Sequence, residues 1–250
     1  MVRKLGQNFL VDRRVAEREV EFADVDKEDV VLEIGPGKGV LTCLLAEKAK
    51  KVVAVEIDEN LYEELKSTLP ENVLLINKDI LKIDLDDLPF FNKIVSNLPF
   101  QISSPITFKF LEYPFDLAVL IYQKEFAERM VAKPGSKHYS RLTVNIYYHA
   151  SCEIVDYISK KCFKPEPRVD SAVVKMVPHD KPPFYVVDED FYFELTLNLF
   201  NHRRKKIRTT LKNCYNIEDF NEVPFLDRRV EKLNPEEIGR LSNILYKKTG

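Results

Sequence analysis

No apolar stretch in this 250-residue chain is long enough to cross a bilayer, and Phe115 to Tyr122 reads only as a buried strand. The first residues, Met1-Val2-Arg3-Lys4-Leu5-Gly6, lead into polar sequence rather than an apolar signal core. The expectation is a cytoplasmic protein with no membrane partner. Its four cysteines (Cys43, Cys152, Cys162, Cys214) include no CxxC pair and stand beside no histidine. That pattern argues against zinc and against a disulfide framework, so no metal is expected, and the cysteines read as small buried hydrophobes. Internal repeats and low-complexity tracts are also missing. The chain lacks a basic excess as well, with a net charge of −2, which by itself speaks against a nucleic-acid binder.

Whole-chain charge misleads where basic residues cluster, and here they do. Asn201 to Lys212 reads NHRRKKIRTTLK, with Arg203, Arg204, Lys205, Lys206, Arg208 and Lys212 and no acid. A second cluster holds Arg3, Lys4, Arg13, Arg14 and Arg18. Such patches bind phosphates locally even on an acidic protein, though a solvated helix face has the same composition. A hydrophobic fraction of 45% beside 31% charge describes a globular chain able to bury a core.

Strand and helix patterns alternate. Asp12 can cap a helix to about Ala23, and Val30 to Ile34 reads as a buried strand followed by the turn Gly35-Pro36-Gly37-Lys38-Gly39. A helix over Val40 to Lys50, a strand over Val52 to Ile57 and a helix capped by Asp58 come next, with Leu61, Leu65 and Leu69 on one face. Val73 to Asn77, Ile94 to Asn97 and Leu117 to Tyr122 read as further strands, and Ser104-Pro105 as a helix start. This order predicts an α/β fold: a mostly parallel, doubly wound, Rossmann-like sheet covered on both faces. Cys152 to Val177 looks strand-like, Pro178 to Pro183 reads as a linker, and Asp188 to Gly250 looks wholly helical. Two domains are expected, over 1–180 and 181–250, the second small and all-α.

A strand, a tight glycine loop and a helix bring backbone N–H groups close to a ligand. The spacing here is GxGxG, at Gly35, Gly37 and Gly39, rather than the GxGxxG of a dinucleotide site; a plain structural turn has the same look. Acidic and amide residues add to it. Glu56 ends the second strand, where a carboxylate can accept both ribose hydroxyls; Asp79 follows the third and can meet an adenine amine; Asn97 closes the fourth. The fold sets all of them along one crevice.

Asn97-Leu98-Pro99-Phe100 carries the chemistry. An adenine amine is a poor nucleophile because its lone pair is delocalised into the ring. The Asn97 side-chain oxygen and the Leu98 carbonyl can accept its two N–H bonds and aim the lone pair at a methyl group. Pro99 stiffens the loop, and Phe100 stacks on the base. No strong base is required, since the cationic amine formed on attack loses its proton to water. A proline-containing loop with a buried phenylalanine is the plain structural alternative.

These residues resemble a known family. Gly6-Gln7-Asn8-Phe9-Leu10, Glu33 to Gly39, Glu56-Ile57-Asp58, Asp79, Asn97 to Phe100, Gln123-Lys124-Glu125, Phe163 to Val173 and Asn201 to Arg208 are similar, in order, to the small-subunit ribosomal RNA adenine dimethyltransferases, in an archaeal-type form. The resemblance implies a methyltransferase-type Rossmann domain that binds S-adenosyl-L-methionine, with a helical domain recognising rRNA. It implies dimethylation of two adjacent adenosines near the 3′ end of small-subunit rRNA, on a pre-30S-type particle, by a monomer with a role in small-subunit biogenesis. Asn8 and Leu10 would close over the cofactor beside Gly35, Gly37, Glu56 and Asp79, and Asn97 would face both the cofactor and the target amine. Phe163 would be the aromatic on the far side of the base, or a core residue, and Arg203 to Lys206 with Arg208 would hold RNA. Two departures stand out: Phe100 where many bacterial relatives have tyrosine, and Asp227 to Glu237, which leaves the bacterial pattern. A large-subunit rRNA methyltransferase and an assembly factor that chiefly binds are the competing readings.

Overall fold

The computed structural model describes residues 8–249; Arg3, Lys4, Gly6 and Gln7, named above, lie outside them. Among the described residues no helix is long and apolar enough to cross a membrane. The chain divides into two compact units, one running to Ala127 and taking in Cys152–Pro178, the other comprising Glu128–Ser151 and the chain from His179 onward. Residues 128–151, which the sequence reading put in the first domain, thus cluster with the C-terminal helices.

The first unit begins with β1 (Phe9–Leu10) and α1 (Arg13–Phe22), followed by β2 (Val30–Ile34), α2 (Val40–Lys48), β3 (Lys51–Glu56), α3 (Glu59–Lys66) and β4 (Val73–Asn77). Then come β5 (Lys93–Asn97), α4 (Ser103–Leu111), β6 (Leu117–Gln123) and α5 (Lys124–Met130), which crosses into the second unit. Helix α6 (Arg141–His149) belongs to the second unit; β7 (Ala150–Ile158), β8 (Phe163–Lys164) and β9 (Ser171–Pro178) return to the first sheet system. The seven-stranded sheet has the order β4-β3-β2-β5-β6-β9-β7. Its first five strands pair in parallel, and β9 runs antiparallel to β6. This is the methyltransferase-type Rossmann arrangement.

Val, Ile and Leu runs form these strands because both faces are covered. On one face Val31, Val52, Val95 and Val119 meet Val15, Ala16 and Val20 of α1 and Leu41, Leu44 and Leu45 of α2. The alternate residues Leu32, Val53, Ile94 and Leu120 are fully buried too. Each such side chain contributes roughly 1.5–3 kcal/mol of burial. The expected caps form: Asp12 accepts the Arg14 N–H at 3.1 Å, and Asp58 accepts those of Asn60 and Leu61.

Three expectations need correction. Helix α4 starts at Ser103, out of a 3-10 turn over Phe100–Ile102, and Ser104 does not cap it. Pro105 falls within the first helical turn, where a missing N–H costs no hydrogen bond. The cysteines are not buried: Cys43, Cys152 and Cys162 are half-buried and Cys214 is exposed. Nor is the C-terminal part wholly helical. Helices α7 (Glu189–Asn201), α8 (Ile207–Tyr215) and α9 (Pro235–Thr249) share an apolar core with Tyr139, Val144 and Tyr148. Between α8 and α9, however, the chain leaves helix at Asn216 in a left-handed conformation (φ 53°), and only a 3-10 turn over Val230–Lys232 intervenes.

A polar residue sits where the pattern calls for an apolar one. Glu19 is 0% exposed on the buried face of α1, and neither of its carboxyl oxygens has a hydrogen-bond partner. Burial above all, with a smaller contribution from the neighbouring Glu33 carboxyl, raises its pKa well above the carboxylate range, so it folds as the neutral acid. An acid that keeps a proton the unfolded chain has released makes stability fall as pH climbs above the ordinary carboxylate range. Glu19→Met should therefore raise Tm, by about 2–6 °C, and by more at pH 8 than at pH 5. Thermal denaturation at the two pH values checks this; a gain independent of pH would refute the neutral buried acid.

Candidate active site at the carboxyl ends of the parallel strands

The sheet changes direction between β2 and β5, and there the two strands part. Their ladder is confined to Val31↔Lys93 and Leu32↔Ile94. Further along, the Ser96 hydroxyl replaces it, accepting the Ile34 N–H at 3.3 Å and donating to the Ile34 carbonyl at 2.7 Å. The opening leads into a cavity of about 500 Å³, within the range of sites for small ligands.

The glycine loop forms its floor. Gly35 and Gly37 have φ of 70° and 60°, and a Cβ on Gly37 would lie 3.0 Å from Phe9 Cδ1. The Gly35 N–H donates to the Val55 carbonyl at 2.9 Å, holding the loop over β3. Glu56, 3% exposed, accepts the Asp58 N–H on Oε1 at 2.8 Å and the Gly37 N–H on Oε2 at 3.4 Å. Each oxygen keeps a further acceptor position. Burial raises the Glu56 carboxyl, and these two N–H bonds pull it back toward the charged form. Asp79 is half-buried and accepts the Leu81 N–H at 3.1 Å.

Asn97 ends β5, level with Ile121. Its side-chain nitrogen donates to the Asn8 carbonyl at 3.5 Å, which turns the amide oxygen the other way. Leu98 is buried and anchors the loop. Pro99 stands 3.4 Å from where a Gly35 Cβ would be, so the two loops touch. Phe100 opens the 3-10 turn, its carbonyl accepting the Ser103 hydroxyl at 3.0 Å.

The segment before α1 closes the cavity's edge. β1 pairs antiparallel with β8, Phe9 with Lys164 and Leu10 with Phe163, and the Asn8 side-chain nitrogen donates to the Pro165 carbonyl at 2.7 Å. The Lys38 ammonium lies 5.7 Å from the Phe9 ring. Phe163 is 3% exposed, belongs to the core and meets Phe100 edge-on, their ring centroids 6.4 Å apart.

The structure thus gathers Asn8, Leu10, Gly35, Gly37, Glu56 and Asp79 around one cavity with Asn97, Leu98, Pro99 and Phe100. Phe163 stands behind this group rather than in the cavity lining. Ser96 escaped the sequence reading, since a buried serine in a strand carries no signal of its own. So did the state of Glu33, a buried cavity-lining acid pushed up to about 8, chiefly by burial. The predicted basic residues belong to the other unit. Arg203 pairs with Glu231 at 3.1 Å and Lys206 with Asp227 at 3.1 Å, while Arg204, Lys205 and Arg208 are exposed on the turn and first helical turn after α7.

The family model described as ribosomal RNA adenine dimethylase matches residues 2–247. The chain belongs to this family. A Methanosarcina acetivorans member, named a probable ribosomal RNA small subunit methyltransferase A, is 46% identical over 96% of this chain and 92% of its own length. Among solved structures, a dimethyladenosine transferase from Plasmodium falciparum is 27% identical with a TM-score of 0.83, covering 97% of this chain and 98% of that one. The 23S rRNA methyltransferase ErmE is 30% identical with a TM-score of 0.71, covering 94% and 98%.

Within this adenine dimethylase the glycine loop leaves little room for a side chain at Gly37. Gly37→Ala pays the left-handed penalty of about 1–2 kcal/mol and pushes on Phe9. We expect Tm to fall by about 2–6 °C. A thermal melt indistinguishable from wild type would mean that the loop relaxes freely.

Proposed function

We propose that this chain transfers methyl groups from S-adenosyl-L-methionine to the exocyclic amines of two adjacent adenosines near the 3′ end of small-subunit rRNA, acting as a monomer on a pre-30S-type particle. The observation that carries the reading is the meeting, in one cavity, of an acid-lined glycine loop with the Asn97–Phe100 loop.

The cavity suits the cofactor. Its volume is adequate, the Glu56 oxygens retain acceptor positions for two ribose hydroxyls, and Asp79, also in the lining, would meet the adenine amine. Asn8 and Leu10 would close over it. When bound, the cofactor supplies a methyl group on a positively charged sulfur. Asn97 and Leu98 then act on the target base. The Asn97 amide, its nitrogen turned to Asn8, offers Oδ1 to one amine hydrogen, and the Leu98 carbonyl takes the other. In the first transfer, gripping both hydrogens draws the amine lone pair out of conjugation and aims it; in the second, the one remaining hydrogen keeps a single acceptor. Pro99, packed on Gly35, keeps this pair of acceptors in place. Phe100 gives the base a stacking face worth about 1–3 kcal/mol, and Phe163 backs it from the core. After transfer the cationic amine is acidic enough to give its proton to water, so no strong base is required and alignment does the rest.

Asn97→Ala should cut dimethyladenosine formation at least about 100-fold while changing cofactor affinity only a few-fold. Mass spectrometry of rRNA after incubation with labelled cofactor reads the first quantity and calorimetry the second; near-normal dimethylation by this variant would sink the proposal. Glu56→Gln, by contrast, should weaken cofactor binding about tenfold, because one ribose hydroxyl loses a charged acceptor. Methylation assays on isolated small and large ribosomal particles separate the proposed substrate from a large-subunit one.

A further inference from the structure

The basic turn after α7 is built from two stretches of chain. Residues 225–229 return antiparallel alongside it, with a bridge between Lys206 and Arg229. Lys206, the residue before α8, provides no side-chain cap, and the returning segment takes over that task. The Ile207 N–H donates to the Arg228 carbonyl and the Arg208 N–H to the Leu226 carbonyl, both at 3.0 Å. Donors that begin a helix otherwise await water or an anion. Here chain carbonyls consume them, so an anion at this place must be held by side chains.

The side chains divide into two sets. Arg203 is tied to Glu231, and Arg228 to Glu237 with its guanidinium 5.4 Å from the Phe225 ring. These hold the turn together. Arg204, Lys205 and Arg229 are exposed, and none has an acidic partner among the described residues. Lys206 stands between the sets: its ammonium lies 3.1 Å from Asp227, with both side chains well exposed. A contact of that kind contributes little stability and gives way to a stronger anion.

We propose that Arg229, set opposite Lys206 by the returning segment, is a phosphate-binding residue of the rRNA surface that Arg204 and Lys205 begin, and that Asp227 weakens this surface by occupying Lys206. The partner is the RNA backbone, whose closely spaced phosphates match a row of cations contributed by two adjoining stretches. This inference rests on the rRNA reading above and adds residues from outside the Asn201–Lys212 cluster.

Each phosphate contact contributes about 0.7–0.9 to the slope of log affinity against log salt, which amounts to about fivefold in affinity near 0.15 M. Binding of an unmodified small-subunit rRNA transcript should be measured by filter retention across about 0.05–0.3 M salt. Arg229→Ala is expected to bind about fivefold more weakly with a slope shallower by that amount. Asp227→Asn is expected to bind more tightly with a steeper slope, an outcome that a misfolded variant does not produce. Asp219→Asn, which makes the same change in net charge at the Lys248 pair, should stay within about twofold of wild type. If wild type binds with salt dependence but either Arg229→Ala or Asp227→Asn leaves the slope unmoved, this inference is overturned while the rRNA reading stands. Wild-type binding without salt dependence overturns both.

Discussion

Two neighbouring parallel strands that part company at their carboxyl ends leave peptide groups without a ladder, and everything at the active site follows from how those groups are used. Between β2 and β5 the Ser96 hydroxyl takes both polar groups of Ile34. At the end of β3, the Asn77 side chain donates to the Glu56 carbonyl at 2.9 Å, and Val55 receives the Gly35 N–H. Polar backbone cannot be buried unpaired without a cost of kilocalories, so the strands open only where side chains or the glycine loop close the account. The cavity occupies the space that remains.

Charge is graded across this region. Glu19 is fully buried without a partner, Glu33 is buried with one oxygen unpartnered, and Glu56 accepts two backbone N–H bonds at the cavity. Glu19 and Glu33 are held as neutral acids, Glu33 with a pKa near 8, so they do not crowd the site with negative charge. Glu56, by contrast, lines the cavity with both oxygens already oriented. Its orientation comes from the loop it helps to hold, since the Gly37 N–H serves both floor and carboxylate.

Catalysis of this kind depends on position more than on acid–base strength, and the structure invests in position. The Asn97–Phe100 loop is pinned from several sides: Leu98 in the core, Pro99 against Gly35, the 3-10 turn beneath Phe100, and the Asn97 amide at Asn8. The Asn8 contact depends on β1, a two-residue strand whose place is set by β8 and by Pro165. Residues far apart in sequence therefore meet through backbone pairing, and a shift of β8 would be felt at the Asn97 amide.

The alternation of strand and helix patterns, the GxGxG turn, and acids spaced one per strand end were legible from residue order alone, because hydrophobic period and turn chemistry are local properties. So was the place of the Asn-Leu-Pro-Phe loop, four consecutive residues at a strand end that line the cavity. What residue order could not reveal depends on long-range pairing. Helix α6 joins the C-terminal core because Val144 and Tyr148 find apolar partners there, although β7 of the other unit's sheet follows it directly in sequence. Phe163 became a buried neighbour of Phe100 through the β1–β8 pairing, and Arg229 reached Lys206 through a single bridge that no periodicity announces. Glu19 looked like one more charged residue on a helix; only the packing of α1 and α2 onto the sheet removed it from water. Local chemistry set the elements and their reactive groups, and tertiary hydrogen bonding and burial decided which of those groups meet and which of them carry charge.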